Sequence, residues 1–263
     1  MDTPLTPDSE PEFFVREERL KAVLSLVQHA EGQHAGESTA DPAVSAVDNS
    51  LFPECILNFC EQRSEEWFEA RIGNITASAF KPWLTQTTKA AAKARHTAIC
   101  RCLSSKGRCY ETPHRVTEAM QRGIDLEPEA VAAFERWSKE TVLPVGFAKW
   151  KHGNAGCSPD GLIAGASMGF EGKAPEGPAH YDYLLSGVLP PLYYWQVHGS
   201  MAVMGAADGW WFQSFHPGQP TFRILVKPND DTKRIAEGLH LFVSECLAAE
   251  NEAYAKWIEE NKS

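Results

Sequence analysis

The chain has 263 residues, 43% of them hydrophobic, with eight Trp and thirteen Phe, enough to bury a sizeable core as one large domain or two small ones. A formal net charge of −10 argues against a generally basic protein that coats nucleic acid, so any DNA binding must rely on positive potential confined to a groove or channel. Seven irregularly spaced cysteines do not form a small secreted disulfide framework, and the chain shows neither a signal-peptide pattern nor an apolar run of about 18 residues, which predicts a cytoplasmic protein.

From Glu10 to about Glu31, the residues Phe13, Phe14, Leu20, Val23, Leu24 and Val27 recur at helical spacing among charges and predict an amphipathic helix suited to docking on the domain or on a partner. Gly32 to Ser50 loses that period and reads as a linker. Residues 1–50 are therefore expected to form an N-terminal arm, and 51–263 a single domain. Ser64-Glu65-Glu66 predicts a capped short helix ending near Arg71 and stopped by Gly73. In Ile75-Thr76-Ala77-Ser78 two hydroxyls are placed to cap a further helical turn whose N–H groups can meet an anion. Lys89 to Leu103 is Ala- and Lys-rich and predicts a helix, with Lys89, Lys93, Arg95 and Arg101 either solvated or facing DNA.

Gly123 is expected to precede a helix with Pro128 in its first turn, Glu127 at its start, and Ala130, Val131, Phe134 and Trp137 as its apolar stripe. Val142 to Trp150, Gly161 to Ala164 and Met168 to Lys173 read as strands of an antiparallel meander, with Gly165 and Gly169 bracketing a reversal. A helix follows from Pro191 to about Met204, then strands at Asp208 to Phe215 and Thr221 to Val226, and a closing helix from about Asp231 to Glu259.

The chemistry concentrates in Ser158-Pro159-Asp160-Gly161 and Glu171-Gly172-Lys173. The first is by itself an ordinary turn, and an acid and a lysine two apart on a strand are an ordinary solvated face. Combined with a helix-borne Glu127, they also form a metal-and-water constellation. Asp160 and Glu171 can hold a hard divalent cation through oxygens, while Lys173 orients a nucleophilic water or neutralises charge on a phosphate. Cys100, Cys102 and Cys109 with His114 lack zinc spacing, because side chains two apart diverge on a helix, and the cysteines read as buried free thiols.

Four blocks occur in order: Trp67 to Ser78 with Arg71, Gly73 and Thr76; Gly123 to Ala130 with Glu127; Cys157 to Leu162; and Glu171 to Lys173. Together they resemble the lambda exonuclease family of phage-type, YqaJ-like recombination nucleases, within the PD-(D/E)XK nuclease superfamily. The resemblance runs from about Trp67 to Phe215. It implies an α/β (α+β) restriction-endonuclease-like core, a central mixed sheet flanked by helices. It also implies that Asp160, Glu171 and the Gly172 carbonyl bind Mg²⁺, with Mn²⁺ able to substitute, that Lys173 orients the attacking water, and that Glu127 is a further acid and candidate ligand. Gln196 matches a family glutamine beside the metal, whereas His198 stands where the family often carries a polar amide. Arg71, beside Ser78, matches the grip on a terminal 5′ phosphate, and Met120 the position of an apolar wedge, though ordinary helix packing explains Met120 equally well.

The activity so implied is resection of double-stranded DNA from a 5′-phosphorylated end in the 5′ to 3′ direction. The products are mononucleotides and a 3′ single-stranded tail for strand annealing. The implied assembly is a phage or bacterial homotrimeric ring, whose basic lumen would reconcile DNA binding with an acidic exterior, acting with a single-strand annealing protein. Two alternatives stay open: a structure-specific endonuclease or junction resolvase, and a nuclease-fold module that recruits an annealing protein.

Overall fold

Capping side chains and turn residues set most element boundaries in residues 47–106 and 117–261, which the computed structural model describes. The expected helix from Glu10 to Glu31, the linker before residue 47, and Cys109 and His114 lie outside the described residues. Helix α1, Glu65–Arg71, begins where the Ser64 hydroxyl accepts from Trp67 N at 3.2 Å, and two glutamates occupy its first turn. Helix α2, Lys89–Ser105, is capped by Thr88 in the same way. Helices α4, Gly177–Ser186, and α5, Pro191–Met204, both carry proline in the first turn and end on left-handed glycines, Gly187 and Gly205. Helix α6, Asp230–Glu260, starts with a capping box between Asn229 and Thr232.

Helix α3, Glu118–Ser138, departs from expectation. It starts after Thr117, so Gly123 and Pro128 lie inside it and Glu127 sits mid-helix rather than at its start. Interior proline removes one helical hydrogen bond and is locally unfavourable by about 3 kcal/mol. Packing offsets that loss: Phe134 is fully buried, with its ring centroid 4.8 Å from that of Phe170 and 5.6 Å from that of Trp211. Gln213 Nε2 also donates to the Ala130 carbonyl at 2.7 Å. Trp137, expected inside, is half exposed and lies edge-on to Trp211 beneath the Arg223 guanidinium.

Among the described residues the strands are β1 Cys55–Asn58, β2 Ile75–Thr76, β3 Val142–Leu143, β4 Phe147–Trp150, β5 Ala155–Cys157, β6 Gly161–Ile163, β7 Met168–Lys173, β8 Gly209–Ser214 and β9 Phe222–Val226. They form two mixed sheets flanked by helices, ordered β1-β4-β5-β2 and β3-β6-β7-β8-β9. β2–β5 and β7–β8 run parallel and the other pairs antiparallel. The expected simple meander is therefore corrected. Pro144 interrupts Val142 to Trp150, because it has no N–H for a ladder, and β3 and β4 join different sheets.

One face of the five-stranded sheet packs Phe170 and Ile163 against Phe134. The other turns Trp210 and Phe212 toward Val197 and Met201 of α5, with Leu239 and Phe242 of α6 in the same core. Arg95 Nε bonds Glu245 at 2.7 Å and Lys106 Nζ reaches Glu250 at 2.9 Å, so part of the basic side of α2 docks on α6 rather than facing DNA. Gly165 makes the β6–β7 reversal with φ of 73°, but Gly169 is inside β7. A Cβ there would lie 2.4 Å from the buried Trp210 ring. Gly169→Ala is expected to destabilise the fold by about 1–3 kcal/mol through overpacking, read as a lower midpoint in urea denaturation.

Candidate functional site

The turn Ser158-Pro159-Asp160 carries the chain from β5 in one sheet to β6 in the other. Gln62 Nε2 pins this crossover through the Pro159 carbonyl at 2.7 Å and the neighbouring Val145 carbonyl at 3.1 Å. Asp160 N donates to Phe170 O at 3.1 Å, and Asp160 Oδ2 accepts from Gly172 N at 2.8 Å. An acid from a turn is thereby locked against the acid-x-lysine strand.

Glu171 and Lys173 share one face of β7, as alternation requires. Glu171 is 1% exposed and its Oε1 contacts Lys173 Nζ and accepts from Gln196 Nε2 at 2.6 Å. Lys173 Nζ also lies 3.7 Å from Asp160 Oδ2, so the three expected residues and Gln196 of α5 form one cluster. Burial pushes the Glu171 carboxyl up to about 7, with Lys173 pulling down and Asp160 adding to the rise. Burial also disfavours the Lys173 ammonium, but Asp160 and Glu171 together outweigh it and raise its pKa above the ordinary value.

A cavity of about 600 Å³ opens beside the cluster, lined by Asp160, Gly172 and Lys173 together with Met120, Glu127 and Tyr193. Met120 is 51% exposed at this opening. Glu127 is brought to the same cavity, yet its Oε2 bonds Arg63 Nη2 at 3.1 Å rather than joining the other acids. Arg63 and Arg122 also line it and were not singled out from the sequence. An arginine in a loop or mid-helix has no distinguishing local pattern.

Arg71 is held elsewhere on the crossover. Its Nη1 donates to Ser158 Oγ at 3.0 Å, and its guanidinium lies 4.0 Å from the Trp67 ring centroid. Trp67 Nε1 donates to the same Ser158 oxygen at 2.9 Å. Burial lowers the Arg71 pKa to about 10, which still leaves the charge in place at neutral pH. Ser158 and Trp67 stand inside the motif blocks, but neither is given a part in this constellation from the sequence. Ser78 is hydrogen-bonded to Thr76 at 3.1 Å instead of to Arg71. The expected hydroxyl cap is also absent, since Ala77–Ala79 is a single 3₁₀ turn to which Thr76 makes no side-chain cap.

His198 has a structural place: its Nδ1 meets Thr232 Oγ1 at 2.8 Å in a buried contact between α5 and α6, and burial lowers its pKa. Six cysteines are described, all free; Cys55, Cys102, Cys157 and Cys246 are buried as expected, whereas Cys100 is exposed and Cys60 half-buried.

One feature suits a hard cation at the Asp160–Glu171 pair: Glu171 Oε2 is buried with no hydrogen-bond partner, an acceptor left for a cation. Two carboxylate side chains are a small oxygen set of the kind that Mg²⁺, which keeps several waters, accepts.

No helix among the described residues is long and apolar enough to cross a membrane. The family model described as a YqaJ-like viral recombinase domain matches residues 66–207. Among solved structures, an alkaline exonuclease (LHK-Exo) from Laribacter hongkongensis is 27% identical with a TM-score of 0.61, over 74% of this chain and 99% of that one. The same exonuclease in complex with dAMP is 26% identical, with the same TM-score and coverage. Comparison with curated proteins finds no match. With its crossover acid, acid-x-lysine strand and Arg71 helix all inside a match that spans more than half of the residues, the chain belongs to the YqaJ-like viral recombinase domain family.

Proposed function

We propose that the protein is a metal-dependent exonuclease that digests duplex DNA from 5′-phosphorylated ends, in the 5′ to 3′ direction, to mononucleotides and a 3′ single-stranded tail. The observation that carries this reading is the convergence of Asp160, Glu171, Lys173 and Gln196 beside a cavity, with Arg71 held on the same crossover turn. Family membership and the likeness to an alkaline exonuclease support it.

Asp160, Glu171 and the Gly172 carbonyl would hold Mg²⁺ or Mn²⁺, which when bound polarises a phosphate oxygen and lowers the pKa of water. Lys173 orients the nucleophilic water and supplies positive charge where the phosphate gains negative charge. Gln196 fixes the Glu171 carboxylate so that its other oxygen points where a ligand can use it. Glu127 provides a further acid on the cavity wall. Arg71 offers a planar fork to a terminal phosphate, with Trp67 and Ser158 setting its orientation; Ser78 belongs to that grip only if the Thr76 contact opens. Met120, exposed at the cavity, is placed to wedge apart a terminal base pair.

A homotrimeric ring and a single-strand annealing partner complete the proposal, with 1–50 as a docking arm and 51–263 as the nuclease domain. The test is digestion of duplexes labelled at either end, with Mg²⁺ or Mn²⁺. Expected are mononucleotides from the 5′-phosphorylated strand and no attack on closed circles. Degradation of circles at the rate of linear DNA would sink the exonuclease reading and favour an endonuclease.

A further inference from the structure

Arg63 stands at the junction of the two halves of the site, and none of the roles above uses it. It immediately precedes the Ser64 cap of α1, so its position is tied to the helix that carries Arg71. Its backbone is left-handed, with φ of 75°, a region where a residue with a Cβ persists only when its surroundings enforce it. The neighbouring Gln62 supplies that enforcement through its bonds to the Val145 and Pro159 carbonyls. The Arg63 side chain lines the cavity with Glu127, Asp160 and Lys173, and its Nη2 pairs with Glu127 Oε2 at 3.1 Å. Both partners stay partly open to solvent, and such an ion pair contributes little to stability. The pairing is therefore a weak reason by itself to hold an arginine in a strained conformation. Arg122 adds a second guanidinium to the same wall. Its Nη2 donates to the Ala174 carbonyl at 2.8 Å, while its Nε is buried without a partner.

We propose that Arg63 is a DNA-binding residue that exchanges Glu127 for a non-bridging oxygen of a DNA phosphodiester entering the cavity, an inference that rests on the nuclease reading above. One anion leaves the guanidinium as another arrives, so the arginine keeps a counter-charge throughout, and the released Glu127 carboxylate is already partly open to solvent. A phosphate can accept two parallel N–H bonds where Glu127 takes one. The exchange also frees the Glu127 carboxylate to face the reacting strand instead of the arginine.

The test measures duplex DNA affinity against salt in a Lys173→Ala background, which reads binding without cleavage. Arg63→Gly keeps the left-handed backbone and removes the guanidinium. It is expected to weaken affinity about tenfold and to reduce the slope of log K against log salt by about 0.9, one phosphate contact. Arg63→Lys should keep the slope while recovering only part of the affinity. Glu127→Gln removes the competing anion and should tighten binding up to about threefold, a gain that vanishes when combined with Arg63→Gly. An unchanged salt slope in Arg63→Gly, or a Glu127→Gln gain that survives it, overturns the exchange while leaving the nuclease reading intact. If the background protein shows no salt-dependent affinity for duplex DNA, the nuclease reading fails and this proposal falls with it.

Discussion

Lys173→Ala is expected to lower cleavage of duplex ends by about 10³-fold while leaving DNA binding and metal binding in place. The side chain touches Glu171 and lies 3.7 Å from Asp160, so among the described residues it is the cation spanning both acids. On the proposed mechanism, removing it deletes the group that orients the water and offsets the charge that builds on phosphate. The two carboxylates and the backbone bond from Gly172 N to Asp160 remain. Asp160→Ala should behave differently, because it removes one of the two carboxylates proposed to hold the cation. Calorimetric Mn²⁺ titration separates them: Lys173→Ala should bind the ion and Asp160→Ala should not. Equal binding by both variants, or cleavage by Lys173→Ala within tenfold of the parent, would refute these roles.

Arg71→Ala should reduce digestion of 5′-phosphorylated linear duplexes by about 10- to 100-fold, the loss of a charge-assisted contact partly shielded from water. The preference for a 5′ phosphate over a 5′ hydroxyl should disappear with it. Arg71→Lys should restore little, because a lysine neither stacks over Trp67 as a planar group nor presents a fork. Rates on gapped circles serve as the control. If Arg71→Ala loses as much there as on phosphorylated ends, Arg71 does not read a terminus, and interior cutting becomes the better account.

Much of the site was legible in the chain because its logic is local. Two-residue alternation alone places Glu171 and Lys173 on one side of β7. Caps such as Ser64, and the proline that opens α5, lie within a few residues of the elements they start. Helix α4 escaped notice because it is only ten residues long and its inward face, His180 with Tyr183 and Leu184, repeats too briefly to register as an apolar stripe. Short β1, β2 and β5 gave too few alternations to register.

The sequence by itself determined which residue types stand where and the order of the four motif blocks. It also determined the local period of β7, α5 and α6, since these follow from side-chain spacing over a few residues. Only the tertiary structure decided that Pro144 would split one expected strand between two sheets, and that α3 would run through Gly123 and Pro128. It also decided that Ser158, not Ser78, would receive the Arg71 guanidinium and that Glu127 would face Arg63. Those outcomes depend on partners 60 to 90 positions away, such as Arg63 with Glu127, Gln213 with Ala130 and Arg71 with Ser158. Contacts that distant arise from packing and strand register, which no local propensity encodes.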